Sequence, residues 1–203
     1  MYDFAFVLDN YNNAKKNLII KVVNENNVGS SFVVHKKEDL AFIVTVNIED
    51  AYAYVTEELA DSWNVSKATL FVDAMQNTMK ERKQIIQSLP NILNMLSYHA
   101  NPNDCDFDTK VITNETMFFG ASALFYGNTM QKLSDEMESD LIILPSSIHE
   151  VLVMSANILD GDRTLDALVD IVKEVNATTV LPEERLSDGV YVYSRTAGFY
   201  KAI

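Results

Sequence analysis

Cysteine is nearly absent from this chain of 203 residues, which contains Cys105 and no other. A lone cysteine cannot close an internal disulfide, so a disulfide-stapled secreted fold is excluded and a reducing compartment is expected. The chain has three histidines, and none forms an i, i+4 pair. A zinc site built from cysteine and histidine is therefore not expected, and we predict no metal ligands.

Basic side chains are also scarce, with 16 Lys and Arg against 29 Asp and Glu, for a net charge of −13. A surface this acidic repels phosphate backbones, which excludes nucleic-acid binding through a basic face. The longest apolar runs are far shorter than the roughly 18 residues that span a bilayer. The start of the chain lacks a charged segment followed by an apolar one, so we expect no secretory signal, no membrane contact and a cytoplasmic location.

Glycine is too sparse to build the usual phosphate-binding loops. The six glycines form neither Gly-x-Gly-x-x-Gly nor Gly-Lys-Ser/Thr, and no Gly-x-Ser-x-Gly elbow is present. These motifs place backbone N–H groups or a nucleophilic serine at a helix start. We therefore predict no cofactor and no catalytic residues.

The first half of the chain predicts a long helix followed by strands. Apolar residues recur at steps of three and four from Phe4 to Val22, which indicates one helix with a single apolar stripe. The run from Leu40 to Ile48 is rich in β-branched residues and predicts a central strand buried on both faces. Residues 51–55 then form its hairpin partner. Thr56 and Ser66 are the predicted N-caps of two following helices.

The second half predicts a βα pattern after a polar loop at residues 100–108, the place of a possible weak subdivision. Strands are predicted at residues 110–113, 117–125, 141–144, 150–154, 190–193 and 198–203. One helix is predicted to end near Glu138. Another is predicted to start at Asp162, with Leu165, Leu168, Val169, Val172 and Val175 facing inward. Short links between strands favour antiparallel pairing, so we predict one α+β domain with a mostly antiparallel sheet flanked by helices.

Carboxylates in the polar loop resemble a calcium-binding loop in their spacing. The residues concerned are Asp104, Asp106, Asp108 and Glu115. Position six of such a loop needs glycine for its sharp turn, and Thr109 stands there, so solvated turn residues are the favoured interpretation. Cys105 lies between two of these aspartates, which disfavour a thiolate. A cysteine nucleophile assisted by His99 is therefore not expected.

Ser146, Ser147, His149 and Glu150 crowd one short stretch and are the candidate site of a small hydrolase. A serine nucleophile needs a base within hydrogen-bond reach and a third group that orients the base. Residues this close in an extended chain rarely converge in that way. We therefore favour a strand end where the hydroxyls and the imidazole satisfy the backbone of a turn.

Several stretches of this chain form a specific pattern, namely residues 39–41, 55–63, 140–150, 175–178, 183–188 and 190–191. Together they resemble an uncharacterised family, domain of unknown function 5688. The resemblance implies an origin in Firmicutes or their mobile elements, and it implies that the usual N-terminal segment of the family is lacking here. It supplies no activity and no site residue. The motif from Glu183 to Asp188 could build a site or hold a loop, and the loop is favoured because Ser187, Asp188 and Gly189 are typical turn residues.

The charge is uneven along the chain and suggests how the protein acts. Residues 101–203 hold 17 acidic and 7 basic side chains, a net −10, against 12 and 9, a net −3, in residues 1–100. This asymmetry predicts either a docking surface for a basic protein or a solubilising face. The favoured hypothesis is a non-catalytic interaction module of bacterial or phage origin, in one form an inhibitor of a host defence protein. A small hydrolase is the alternative, and a homo-oligomer formed through the N-terminal helix remains open.

Overall fold

The structure is a computed structural model that describes residues 4–48, 51–91, 109–161 and 164–203. The chain divides into two units, Met1–Lys83 and Gln84–Ile203. The prediction of a single domain stays a prediction. The predicted subdivision at residues 100–108 lies outside the described residues.

The described part of the first unit is a four-stranded antiparallel sheet with four α-helices and two short 3-10 turns. Its elements are α1 (Phe4–Leu8), α2 (Tyr11–Ala14), β1 (Leu18–Asn24), β2 (Val34–Lys37), β3 (Leu40–Ile48), β4 (Ala51–Tyr54), α3 (Glu57–Ser62) and α4 (Lys67–Glu81). Strand β3 is central, with β1 on one edge and both β2 and β4 on the other. All but one of its residues are buried, so the prediction of a central buried strand and its hairpin is confirmed.

The predicted single N-terminal helix is wrong: it is broken at Asp9–Asn10 into α1 and α2, and the helical structure does not continue to Val22. A 3-10 turn, Lys15–Asn17, follows α2, and β1 begins at Leu18 and pairs with β3 along its whole length. The stretch from Leu18 to Val23, apolar except for Lys21, fits a buried strand as well as it fits a helical stripe. Pairing with β3 satisfies its backbone groups and buries its side chains, which decides the outcome.

Side-chain caps begin the two helices as predicted. Leu59 N–H donates to Thr56 Oγ1 at 3.1 Å, and Thr69 N–H donates to Ser66 Oγ at 3.1 Å. Each cap satisfies one backbone donor that lacks a partner within its helix. The Trp63 indole, at the end of α3, donates to the Leu8 carbonyl at 2.9 Å and so connects α1 to α3.

In the residues that the structure describes, the second unit has a six-stranded antiparallel sheet with helices. Its elements are β5 (Gln84–Ser88), β6 (Lys110–Asn114), α5 (Thr129–Glu136), β7 (Leu141–Leu144), β8 (Val151–Ser155), α6 (Leu165–Thr178), β9 (Tyr191–Ser194) and β10 (Gly198–Lys201). The strand order is β10-β9-β7-β8-β6-β5. Val169 and Val172 of α6 pack on a buried cluster that includes Ile142 and Leu144. The predicted α+β class is confirmed.

Three details of the second unit correct the sequence predictions. Residues 117–125 are not a strand, because Met117 and Phe119 adopt left-handed φ angles of 53° and 52° and a 3-10 helix, Gly120–Phe125, follows. The N-cap of α6 is Thr164, and the predicted cap at Asp162 lies outside the described residues. Val175, predicted to face inward, is exposed, and the neighbouring Asn176 is buried instead.

Within the described ranges, no helix is long and apolar enough to cross a bilayer.

Candidate functional site

The serines and Glu150 form a hydrogen-bonded turn between β7 and β8. Pro145 ends β7, as predicted, and Ser147 N–H donates to the Glu150 carbonyl at 3.2 Å. The hydroxyls of Ser146 and Ser147 both donate to Glu150 Oε1 at 2.9 Å. Ser147 Oγ also accepts the backbone N–H of His149 at 3.0 Å. The hydroxyls therefore point to a carboxylate and to backbone rather than to the imidazole.

Both ring nitrogens of His149 are engaged elsewhere. Nδ1 accepts the backbone N–H of Phe119 at 3.2 Å, and Nε2 lies 3.3 Å from Glu184 Oε1. Because Nδ1 is an acceptor, the proton of the neutral ring belongs on Nε2, which donates it to Glu184. His149 thus offers no lone pair to either serine in this arrangement.

Two phenylalanines cover the imidazole. The rings of Phe118 and Phe119 lie 5.1 Å and 5.8 Å from the ring of His149, centroid to centroid. Phe119 is buried, whereas Phe118 is about half exposed. The side chain of Asn114 shapes this segment, since its Nδ2 donates to the Phe118 carbonyl at 3.1 Å and its Oδ1 accepts Thr116 N–H at 3.0 Å. Left-handed φ angles at non-glycine residues are costly, and these contacts help to hold them.

Gly120 allows the segment to lie directly against the turn. A Cβ atom built at Gly120 would overlap the carbonyl oxygen of His149 and the hydroxyl of Thr113. That hydroxyl donates to the same His149 carbonyl at 2.8 Å, and Ala121 N–H donates to the Ile148 carbonyl at 3.2 Å. The backbone of the turn is therefore bonded to β6 and to the 3-10 helix that follows Phe119.

The stretch from Glu183 to Asp188 is hydrogen-bonded to the same turn and to α6. Ile148 N–H donates to the Glu184 carbonyl at 2.9 Å. The buried amide of Asn176, on α6, donates from Nδ2 to the Ser187 carbonyl at 2.9 Å and to Asp188 Oδ1 at 2.7 Å. Two motifs about thirty residues apart are thus brought together, and their polar groups mainly bond each other and the backbone.

Chemically, this arrangement is better suited to holding loops than to nucleophilic catalysis. A Ser–His pair would require the imidazole to leave Phe119 and turn toward a hydroxyl. The site residues that sequence reasoning missed are Phe119, Gly120 and Thr113. The only local signal was the Phe-Phe-Gly run, which is shared by many turns and strands.

The remaining candidate residues do not gather into a site among the described residues. His99, Asp104, Cys105, Asp106 and Asp108 lie outside the described ranges, and Glu115 is exposed in the turn after β6. Among the residues that the structure covers, no group of three or more His, Cys, Asp or Glu side chains could hold a metal ion. His35 is exposed on β2, with its ring 6.0 Å from the rings of Phe42 and Phe71.

Lys21, on β1 in the first unit, is a buried cation that the sequence did not reveal. Its side chain is only 1% exposed, and Nζ lies 2.9 Å from the centroid of the Tyr52 ring. Burial, and to a smaller extent the positive charge of Arg82, lower the pKa of Lys21 from its ordinary 10.5 to about 7. An ammonium group removed from water in this way costs folding free energy.

The protein thus consists of helices and antiparallel sheets. Around His149, the side chains of the two motifs are hydrogen-bonded to one another and to the backbone of the loops. The chain belongs to the family of unknown function DUF5688, whose family model matches residues 3–195. The resemblance noted from the sequence is thereby confirmed. No curated protein and no solved structure matches the chain.

Proposed function

We propose that this protein is a non-catalytic interaction module that binds a basic protein through the acidic surface of its second unit. The observation that carries the proposal is the charge asymmetry. Residues 84–203 hold 17 acidic and 7 basic side chains, a net −10, whereas residues 1–83 hold 12 and 9, a net −3. Carboxylates at this density produce a negative potential that attracts a basic surface over several ångströms.

The carboxylates are accessible on the helices of the second unit. Asp135 and Glu136 are exposed at the end of α5, and Asp166, Asp170 and Glu174 are exposed along α6. Charges of this kind steer diffusional encounter, so association is expected to be fast and to weaken as salt is added.

The geometry around His149 supports this function over the hydrolase alternative. Both imidazole nitrogens are engaged by Phe119 and Glu184, and the serine hydroxyls are engaged by Glu150. An enzyme using these groups would have to break contacts that hold three loop segments together. A screen of ester, amide and phosphoester substrates against the unaltered protein and Ser146→Ala/Ser147→Ala tests the alternative. Turnover that disappears in the double variant would favour the hydrolase.

In its most specific form, the partner is a basic host defence protein in the cytoplasm of a bacterium or of a phage-infected cell. The carboxylates would then occupy a groove that otherwise binds the phosphates of nucleic acid. Such a partner has the charge that the second unit complements, and it carries a functional site that an acidic protein can block. Binding is therefore expected to compete with nucleic acid for the partner.

Neutralising acids in one unit at a time tests the proposal. The second-unit variant carries Glu136→Gln, Asp170→Asn and Glu174→Gln on the full chain. Binding to a panel of basic nucleic-acid-binding proteins is measured by titration calorimetry at 50, 150 and 500 mM salt. We expect the variant to bind at least about tenfold more weakly at 150 mM, because close charge pairs across an interface contribute strongly to affinity.

The matched control removes three exposed acids from the first unit, with Asp9→Asn, Asp61→Asn and Glu81→Gln. It changes the net charge by the same amount and is expected to bind within about threefold of the unaltered protein, since the proposed binding surface belongs to the second unit. Equal losses in the two variants would show that total charge alone matters. Absence of any salt-sensitive binding by the unaltered protein would overturn the proposal.

A further inference from the structure

Helix α6 carries two parallel rows of exposed side chains. One row is acidic and consists of Asp166, Asp170 and Glu174, spaced four residues apart and all exposed. The next row is apolar and consists of Ile171 and Val175, which are 51% and 40% exposed. Residues four apart lie on the same side of a helix, so the rows run side by side along the helix axis. These five residues are called the α6 outer face.

The apolar row is not needed for the packing of α6 on its own sheet. Val169, Val172 and Asn176 are the buried residues of the helix, and the two valines pack in the cluster that contains Ile142 and Leu144. Single exposed apolar side chains are common on protein surfaces and do not by themselves indicate a binding site. Here two of them are aligned at i, i+4 on a face where a solvated helix ordinarily carries polar residues.

We propose that the α6 outer face docks a basic amphipathic helix of a partner protein. Leucine-like side chains of the partner cover Ile171 and Val175, and lysines or arginines in its flanking row meet the acidic row. This inference rests on the proposed function, and it adds the place of docking and the chemistry of the partner. Side chains four apart on α6 form a ridge that fits the groove between the ridges of a second helix.

Charge complementarity selects this occupant over others. A second copy of the chain would bring a further net charge of −13 and, docked antiparallel on this face, the same acidic row against itself. Like charges across an interface are strongly unfavourable. Nucleic acid is repelled by the same carboxylates. Lys173, the one basic residue of α6, lies beyond the acidic row on the side away from the apolar row. It therefore leaves the boundary between the two rows free for cations of the partner.

A synthetic helical peptide provides the probe for a direct test. The peptide has 18 residues, with leucines at i, i+4 spacing and lysines in the flanking rows, and carries fluorescein. Its binding to the full chain is followed by fluorescence anisotropy at 50 and 300 mM salt. One variant carries Ile171→Gln with Val175→Gln, and the other carries Asp170→Asn with Glu174→Gln. All four side chains are exposed, and thermal melting followed by circular dichroism verifies that each variant folds.

Matched controls make the same chemical changes elsewhere in the second unit. Ile86→Gln with Tyr200→Gln removes two exposed apolar side chains from β5 and β10, the edge strands of the sheet. Glu115→Gln with Glu138→Gln removes two exposed charges that lie outside α6. We expect both α6 variants to bind the peptide at least tenfold more weakly, and both controls to stay within twofold of the unaltered protein. Amide shifts of the unaltered protein on peptide addition should fall on α6, which gives a readout that needs no variant.

The possible failures are distinguishable. If the charge variant and its control weaken binding equally while the apolar variant has no effect, the docking site on α6 is wrong and the acidic surface as a whole remains the binding feature. If a control peptide with glutamate in place of lysine binds equally well, charge complementarity is wrong and the inference fails. If the unaltered protein binds neither the leucine–lysine peptide nor an all-polar lysine peptide, the proposed function fails together with the inference.

Discussion

The backbone N–H of Phe119 donates to Nδ1 of His149 across 30 positions of sequence, at 3.2 Å. This bond fixes the imidazole tautomer and attaches a segment with two left-handed residues to the turn between β7 and β8. Phe119 is buried, so water cannot easily replace the imidazole as acceptor. His149 lies beside two serines in the sequence, and this bond explains how it stabilises the turn.

Replacing His149 by alanine is expected to lower the free energy of unfolding by about 1–3 kcal/mol, because a buried N–H is left without its acceptor. Urea denaturation followed by circular dichroism at pH 7.5 measures the change. His35→Ala is the control, since His35 is exposed, and it should change stability by less than about 0.5 kcal/mol. Equal effects of the two substitutions would contradict the role given to His149.

Gly120→Ala is expected to destabilise the protein by about 1–3 kcal/mol or more, because the new Cβ would overlap the His149 carbonyl and the Thr113 hydroxyl. Thermal unfolding compares this variant with Gly161→Ala, where a Cβ would meet no atom within 4 Å. The control should keep its midpoint within a few degrees of the unaltered protein. If Gly120→Ala has the same unfolding midpoint as the unaltered protein, the contact is looser than the structure indicates.

Lys21→Met is expected to stabilise the protein at pH 6, by about 1–4 kcal/mol, because it replaces a buried cation with an apolar side chain of similar length. The pKa of Lys21 is about 7 in the folded chain against its ordinary 10.5, so the unfolded chain holds more protons between these values. The stability of the unaltered protein therefore rises with pH across that window, and the advantage of the variant shrinks toward pH 10.5.

Urea denaturation at pH 6, 8 and 10 follows this trend. The control is Lys16→Met, which changes an exposed lysine of the first unit and should show a difference that is small and independent of pH. A stabilisation by Lys21→Met that is constant from pH 6 to 10 would contradict the lowered pKa.

Asp73→Asn is expected to cost about 1 kcal/mol at pH 7, since the Asp73 carboxylate accepts the Tyr11 hydroxyl and pairs with Lys15 at 3.0 Å. These contacts, the Tyr11 hydrogen bond first, hold the pKa of Asp73 below its ordinary 3.8. The stabilisation is therefore present above pH 3.8 and is lost as the pH falls through the folded value. Urea denaturation between pH 7 and 2.5 should show the difference closing in acid. Asp61→Asn, at an exposed carboxylate on α3, should show no such closure.

Local signals allowed part of the fold to be predicted from the sequence. The caps at Thr56 and Ser66, the end of β7 at Pro145 and the central strand β3 each depend on residues within a few positions of one another. Hydroxyl caps, a missing N–H and a β-branched run act within one turn or one strand, so their outcome depends little on the rest of the chain.

Contacts between segments far apart in the sequence decided the elements that the sequence predicts incorrectly. Leu18 to Val23 fits either a helix stripe or a strand, and the seven-residue pairing of β1 with β3 decides for the strand. Residues 117–125 looked like a strand, but Asn114 and His149 hold the backbone of Phe118 and Phe119 in a turn. The candidate site shows the same limit, since the sequence grouped Ser146 to Glu150 without revealing that Phe119 and Glu184 engage the imidazole.

From its sequence alone, this protein is determined to be acidic, almost free of cysteine, poor in phosphate-binding motifs and built of helices and short strands. Composition and local pattern suffice for those properties because they do not depend on which distant segments meet. Tertiary structure alone decided that His149 bonds Phe119 and Glu184, that Lys21 is buried beneath the ring of Tyr52, and that Ile171 and Val175 stay exposed beside an acidic row. Each of these depends on how whole strands and helices pack, because burial and hydrogen-bond partners are set by neighbours far away in the chain.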